Sequence, residues 1–151
     1  MTATLRKLAL GSTVAAAALL PGAAGATVAA ADPETAASPR ATCNDYTTFA
    51  YGSTPYRVHI PSVGHQTAAT DCTLRQGDSG PGVFVLQDAL RRCYNQQIAQ
   101  DAQYGPATRN AVQNVQNFHG LVTDGTYGPH TRVAMAWGKY TTGGAFVGCW
   151  F

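Results

Sequence analysis

From residue 74 onward, apolar positions recur at helical spacing. In "GDSGPGVFVLQDALRRCY", Val83, Leu86, Leu90 and Cys93 form one stripe, with Gln87, Asp88, Arg91 and Arg92 off it. That spacing predicts an amphipathic helix. Asp78 or Ser79 stands where a side-chain oxygen can accept from the first free amides of the helix. Pro81 suits the entry because it brings no N–H that needs a partner. A second helix is predicted over "GPATRNAVQNVQNFHG", with Ala111, Val112, Val115 and Phe118 as its buried face and Gly120 as its stop. A third begins at "GPHTRVAMAWGKY" and offers Val133, Ala134, Met135 and Trp137 to the core.

Upstream the pattern changes. Residues 43–73 carry Tyr46, Phe49, Tyr51 and Tyr56 among Gly, Ser, Thr and Pro, and "YRVHI" alternates in the manner of a strand. This segment is too short for a core of its own and is expected to pack, as an N-terminal extension, on a domain spanning 74–138. Residues 32–42, "DPETAASPRAT", read as a linker, and 139–151 as a C-terminal tail.

The chain also repeats itself. "DAQYGPATRNAV" (101–112) aligns without gaps on "DGTYGPHTRVAM" (124–135), so that Asp, Tyr-Gly-Pro, Thr-Arg and Ala recur at one offset. Each copy has the composition of a turn that runs into a helix start. Three short helices, two of them entered by the same device, predict a mainly α fold: a small three-helix bundle with a repeated turn–helix unit.

Residues 1–31 combine Arg6 and Lys7 with an apolar run from Leu8 to Leu20 and two A-x-A-like sites, Ala24–Ala26 and Ala29–Ala31. The apolar run is short for a membrane span, so the segment reads as a signal peptide and the protein as secreted, extracellular or cell-wall associated. Its removal would take two of the ten basic residues and leave the rest balanced against eight acidic ones. A near-neutral chain with scattered arginines and one remaining lysine, Lys139, lacks the basic face that phosphate contacts require. Nucleic acid is therefore excluded as a partner, no membrane partner is expected after cleavage, and a monomer is expected.

Cys43, Cys72, Cys93 and Cys149 form an even set in an exported chain, which predicts two disulfides. Four cysteines allow three pairings. A segment folding back along the first helix would favour Cys72–Cys93 with Cys43–Cys149. No C-x-x-C or H-x-x-x-H pair supports zinc instead, and no metal or cofactor is expected.

Three phrases suggest catalysis and fail on inspection. "GDSGPG" (77–82) resembles the nucleophile loop of trypsin-like proteases, but that family has "GDSGGP". Only His59 and His65 precede it within the mature region, and a helix follows where that family continues as strand. Nor do residues 77–81 form a G-x-S-x-G elbow. "SVGHQTAATD" (62–71) is similar to a phrase of zinc DD-peptidases, where H-x6-D is common. Here five residues separate His65 from Asp71, and no Glu follows Glu34 to serve as base. Asp101 and Asp124 occupy equivalent turns of the repeat, which makes them turn residues before they are an acid–base pair. No catalytic residue is assigned.

"LRQGDSGPGVFVLQDAL", "DAQYGPATRNAVQNVQ" and "GLVTDGTYGPHTRVAM" together resemble the type-1 peptidoglycan-binding domain, a three-helix module of secreted cell-wall hydrolases. Leu74, Gly77, Gly80, Val83, Leu86 and Gln87 fit its first part. Tyr104, Gly105, Pro106, Thr108, Ala111, Val112 and Gln116 fit its second, and Asp124, Gly125, Gly128, Pro129 and Thr131 its third. Ala102 stands where the pattern has Gly, and Val115 where it has an aromatic. The resemblance implies a secreted, non-catalytic protein that binds peptidoglycan through its glycan strands and peptide stems. Aromatic faces for sugars, amides for hydrogen bonds and arginine for carboxylates are the chemistry such a polymer requires. Tyr104, Arg109, Tyr127 and Arg132, with Gln113, Asn114 and Asn117 on the second helix, are the expected ligand-binding residues. A small cell-wall hydrolase or accessory protein using residues 43–73, and a secreted protein-binding or inhibitory scaffold, are the competing readings.

Overall fold

The computed structural model describes residues 39–151; the expected signal peptide lies outside the described residues. The element order is β1 (Asp45–Ala50), β2 (Tyr56–Ser62), α1 (Pro81–Tyr94), α2 (Pro106–Phe118), α3 (Pro129–Ala134), β3 (Trp137–Thr141) and β4 (Phe146–Trp150). The mainly α bundle expected from the periodicity is corrected here. Three short helices share the fold with a four-stranded antiparallel sheet of order β1-β2-β3-β4.

The sheet arises from two hairpins far apart in the chain. β1 and β2 pair from Asp45↔Ser62 to Ala50↔Arg57, and β3 and β4 pair from Trp137↔Trp150 to Tyr140↔Phe146. The hairpins join through Tyr56↔Thr141, Arg57↔Tyr140 and Val58↔Lys139. Their Thr, Tyr, Phe, Trp and Val content suits a pleated, half-buried surface. The β2–β3 pairing spans more than eighty residues of chain, and no local pattern announces it.

The third helix stops early for the same reason. Met135 turns extended (ψ 146°) after α3, and Trp137 enters β3. Met135 and Trp137 are buried as expected, but Val133 is 74% exposed and Phe118 73% exposed. Phe118 sits at the end of α2, edge-on to Tyr94 and His119, where it covers the surface and does not fill the centre. The centre holds Val83, Leu86 and Leu90 of α1 and Ala111, Val112 and Val115 of α2. Val58 and Ile60 of β2 and the loop residue Leu74 complete it.

All three helices begin at a Gly-Pro step, with Gly80, Gly105 and Gly128 as N-caps and proline at the first position; none has a side-chain cap. The expected capping by Asp78 or Ser79 is thus replaced. Asp78 Oδ2 instead accepts from the Arg75 amide at 2.8 Å, and Ser79 forms a backbone bridge with Gln103. Gly82, one residue into α1, has a steric function. A Cβ there would lie 2.2 Å from the Cys43 carbonyl oxygen and 2.9 Å from that of Asp45. The first turn of α1 therefore rests directly on the backbone that leads into β1.

The disulfides are Cys43–Cys72 and Cys93–Cys149, which corrects the expected Cys72–Cys93 and Cys43–Cys149 pairing. The residues before α1 do pack on that helix, through β1 and β2, but they do not carry Cys72 to its last turn. Thr73 pairs with Thr42, through Cys43 N→Thr73 O and Thr73 N→Ala41 O at 3.0 Å each, so Cys72 lies beside Cys43. The β3–β4 hairpin brings Cys149 to the last turn of α1, where Cys93 waits. One bond closes the β1–β2 segment on itself, and the other ties the C-terminal strand to the first helix.

Candidate functional site

The repeat proves to be a buried polar device built twice. Gln87 of α1 is 1% exposed; its Nε2 lies 2.9 Å from Asp101 Oδ1, 2.9 Å from the Gln103 carbonyl and 3.1 Å from Thr108 Oγ1. Its Oε1 accepts from the Ala102 amide at 2.9 Å. Gln116 of α2 repeats the set on the second turn. Its Nε2 meets Asp124 Oδ1 (2.9 Å), the Thr126 carbonyl (2.9 Å) and Thr131 Oγ1 (3.2 Å), and its Oε1 accepts from the Gly125 amide at 2.9 Å. Two amide hydrogens face three acceptors in each copy, so one hydrogen is shared. Each glutamine thereby staples the turn and the helix entry after it to the helix before.

Each aspartate also closes its own turn, with Gln103 N on Asp101 Oδ1 and Thr126 N on Asp124 Oδ1. The Gln87 amide, followed by the Gln103 amide, holds the Asp101 carboxyl below the usual carboxylate range. The copies differ at one backbone position. Gly125 has φ +72°, and Ala102, its counterpart, is held at φ +61°. This φ is the conformation in which a β-carbon is disfavoured.

The expected ligand residues divide on inspection. Tyr104 and Tyr127 are 1% and 0% exposed and belong to the core. Tyr104 Oη donates to the Gly125 carbonyl at 2.9 Å, and the Tyr127 ring lies edge-on to Trp137 at 6.0 Å. Burial pushes both phenols far above their ordinary pKa. Neither ring offers a face to a polymer in this structure. Arg109 donates to the Asp124 carbonyl (3.3 Å), Gln113 to the Thr123 carbonyl (3.1 Å) and Asn114 to Gln96 Oε1 (2.9 Å). Arg109 and Gln113 therefore brace the second turn, and Asn117 stays exposed.

Arg132 is placed differently. It lines a cleft with Phe49 and Tyr51 from the first hairpin, Val58 and Ile60 from β2, and Trp150 from β4. This grouping was missed from the sequence, although the aromatic content of residues 43–73 and Trp150 were visible signals. Only pairing across the sheet brings them to a residue of α3.

The catalytic phrases gain no partners. Ser79 is exposed and precedes the α1 N-cap directly. His65 Nδ1 meets Asp45 Oδ1 at 3.2 Å, with Asp71 taking no part in that pair. Among the described residues there is no group of three or more His, Cys, Asp or Glu that could hold a metal ion. Nor is any helix among them long and apolar enough to cross a membrane.

Residues 79–135, which contain both glutamine staples, match the family described as "Putative peptidoglycan binding domain". This segment is a member of that family. The chain is 44% identical over 61 residues to a zinc D-Ala-D-Ala carboxypeptidase of Streptomyces albus G. That match covers 39% of this chain and 24% of the relative. It is 41% identical over 64 residues to the N-acetylmuramoyl-L-alanine amidase CwlL of Bacillus licheniformis, covering 37% of this chain and 17% of the relative. The chain thus spans a quarter or less of the curated relatives it matches. Among solved structures, the N-terminal domain of SleB is similar at 32% identity and TM-score 0.39, over 42% of this chain and 86% of that one.

Proposed function

We propose that the protein is an exported, non-catalytic module that binds bacterial cell-wall peptidoglycan and remains extracellular or wall-associated. The observation that carries this reading is the pair of glutamine-stapled turns inside the segment that matches the peptidoglycan-binding family. The staples do no chemistry. They hold a small helical module rigid, and rigidity lets a surface bind a polymer without first paying to order itself. Two disulfides suit an oxidising, extracellular setting.

With Tyr104 and Tyr127 buried, the contacts assigned to the module are Asn114 and Asn117 on α2, Arg109 at the second turn, and Arg132. Ser79, placed as a turn residue beside Gln103, supports the reading without a nucleophile. The test is co-sedimentation of the exported chain with purified insoluble peptidoglycan. The expected result is depletion from the supernatant with no release of soluble muropeptides. A chain that stays in solution sinks the binding reading, and release of muropeptides sinks the non-catalytic one.

A further inference from the structure

The aromatic cleft around Arg132 lies largely outside the family-matched segment. We infer that it is a binding subsite of this chain for one repeat of the wall polymer, a sugar ring together with the carboxylate of the adjoining stem peptide. The inference rests on the wall-binding reading above and adds where and how the polymer is held.

The cleft has an apolar floor and aromatic walls. Val58 and Ile60 form the floor; Phe49, Tyr51 and Trp150 stand around it. Phe49 and Trp150 are each 38% exposed, and both belong to edge strands of the sheet. Tyr51 and Trp150 meet edge-on at 5.6 Å. One ring thus braces the other, with Tyr51 packed on the core and Trp150 partly exposed. Lys139 Nζ sits 5.0 Å from the centre of the Tyr51 ring and 5.5 Å from that of Tyr56, which adds a cation at the rim.

Arg132 supplies the polar half. Its Nε is buried and has no hydrogen-bond partner. Among the described residues the ion pairs are His65–Asp45 and Arg92–Asp88, so neither Arg132 nor Lys139 is matched by a carboxylate. Arg132 is half-buried and lines the cleft. Among the described residues its Nε and the Tyr127 hydroxyl are the buried side-chain groups left without partners, and its guanidinium fork can match a carboxylate in two parallel bonds. Aromatic walls beside it select an anion attached to a flat, amphipathic body. Sugar rings present C–H faces of that kind, and the stem peptide linked to alternate rings carries carboxylates. An unattached small anion would leave the aromatic walls unused.

The experiment uses the exported chain and two probes: insoluble peptidoglycan, and a soluble disaccharide-pentapeptide with its stem carboxylates either free or amidated. Calorimetric titration with the free-acid probe should weaken about tenfold in Phe49→Ala/Trp150→Ala, the loss expected when a stacked ring is removed. Trp150→Phe should bind as the parent does. Arg132→Gln should lose preference for the free acid over the amidated probe. Intact mass, to confirm both disulfides, and parent-like far-ultraviolet dichroism establish the fold. Phe49→Ala alone, on an edge strand, carries the test if the double variant does not fold. Parent-like binding of both probes by all these variants, with the parent still sedimenting with wall, overturns the cleft and leaves the wall-binding reading standing. A parent that fails to sediment removes both.

Discussion

Single residues explain why the two turns differ in sequence yet share one shape. Gly125 cannot carry a side chain, since a Cβ there would approach Arg109 Cγ to 2.7 Å and Gln113 Cγ to 3.0 Å. At Ala102 the same backbone conformation is imposed on a residue that dislikes it. Ala102→Gly should therefore stabilise the protein by about 1 kcal/mol, while Gly125→Ala should destabilise it. Chemical denaturation of the two variants measures both signs, and a destabilised Ala102→Gly would refute the strain argument. The glutamines were visible in the sequence only as members of a pattern. Nothing in the residue type announces a buried amide that satisfies an aspartate, a carbonyl, a hydroxyl and a backbone N–H at once. Gln116→Leu keeps the volume and leaves the buried Gly125 amide without its acceptor, while Asp124, exposed, keeps the Thr126 amide. The expected loss is about 1–3 kcal/mol, from one buried donor left without a partner. Gln87→Leu should behave alike, because its network is the same. Melting curves that left either variant at the parent's stability would contradict a structural function for the staples.

At the scale of elements, what the sequence disclosed followed periodicity, and what it concealed followed long-range pairing. The α1 stripe of Val83, Leu86 and Leu90 is buried as its spacing required, and "YRVHI" is a strand as its alternation required. The third helix forms where predicted but ends at Ala134, because Trp137 to Thr141 satisfies its backbone on β2 and β4, partners that no local window contains. The cleft was hidden for the same reason, since Phe49, Arg132 and Trp150 come from three separate elements. The packing of α1 on the sheet has its own signature in pH. His59 of β2 hydrogen-bonds Thr48 Oγ1 at 3.0 Å and stacks obliquely on Tyr140, whose hydroxyl donates to Asp88 of α1. Desolvation lowers the His59 pKa, with Asp88 opposing in part. A lowered pKa means that the unfolded chain takes the proton first. The stability contributed by neutral His59 should be whole above about pH 6.5, the ordinary histidine value, and decline as pH falls towards the depressed one. His59→Gln should flatten that slope in denaturation curves recorded between pH 7 and 5. An unchanged slope would mean that another group titrates.

For the molecule as a whole, the two disulfides do different work. Cys43–Cys72 closes 29 residues and holds the β1–β2 segment beside the loop into α1, whereas Cys93–Cys149 closes 56 residues and anchors the outermost strand to the helical module. Removing either should cost about 2–5 kcal/mol, since the unfolded chain regains the freedom each crosslink denied it. Their effects on binding should diverge. Trp150 follows Cys149 directly, so Cys93→Ala/Cys149→Ala releases the strand that carries one wall of the aromatic cleft, while the module's own surface on α2 keeps its staples. Wall binding should then weaken under conditions in which the variant is still folded. The loss should resemble that of Phe49→Ala/Trp150→Ala, and adding those two substitutions should weaken binding little further. Cys43→Ala/Cys72→Ala also disturbs the strand of Phe49, but it leaves Trp150 and Arg132 fixed and should retain more of the affinity. Titration of the crosslink variants below their melting temperatures decides the matter. Equal losses from the two would show that the crosslinks act through overall stability alone, and that anchoring the last strand has no special bearing on the ligand.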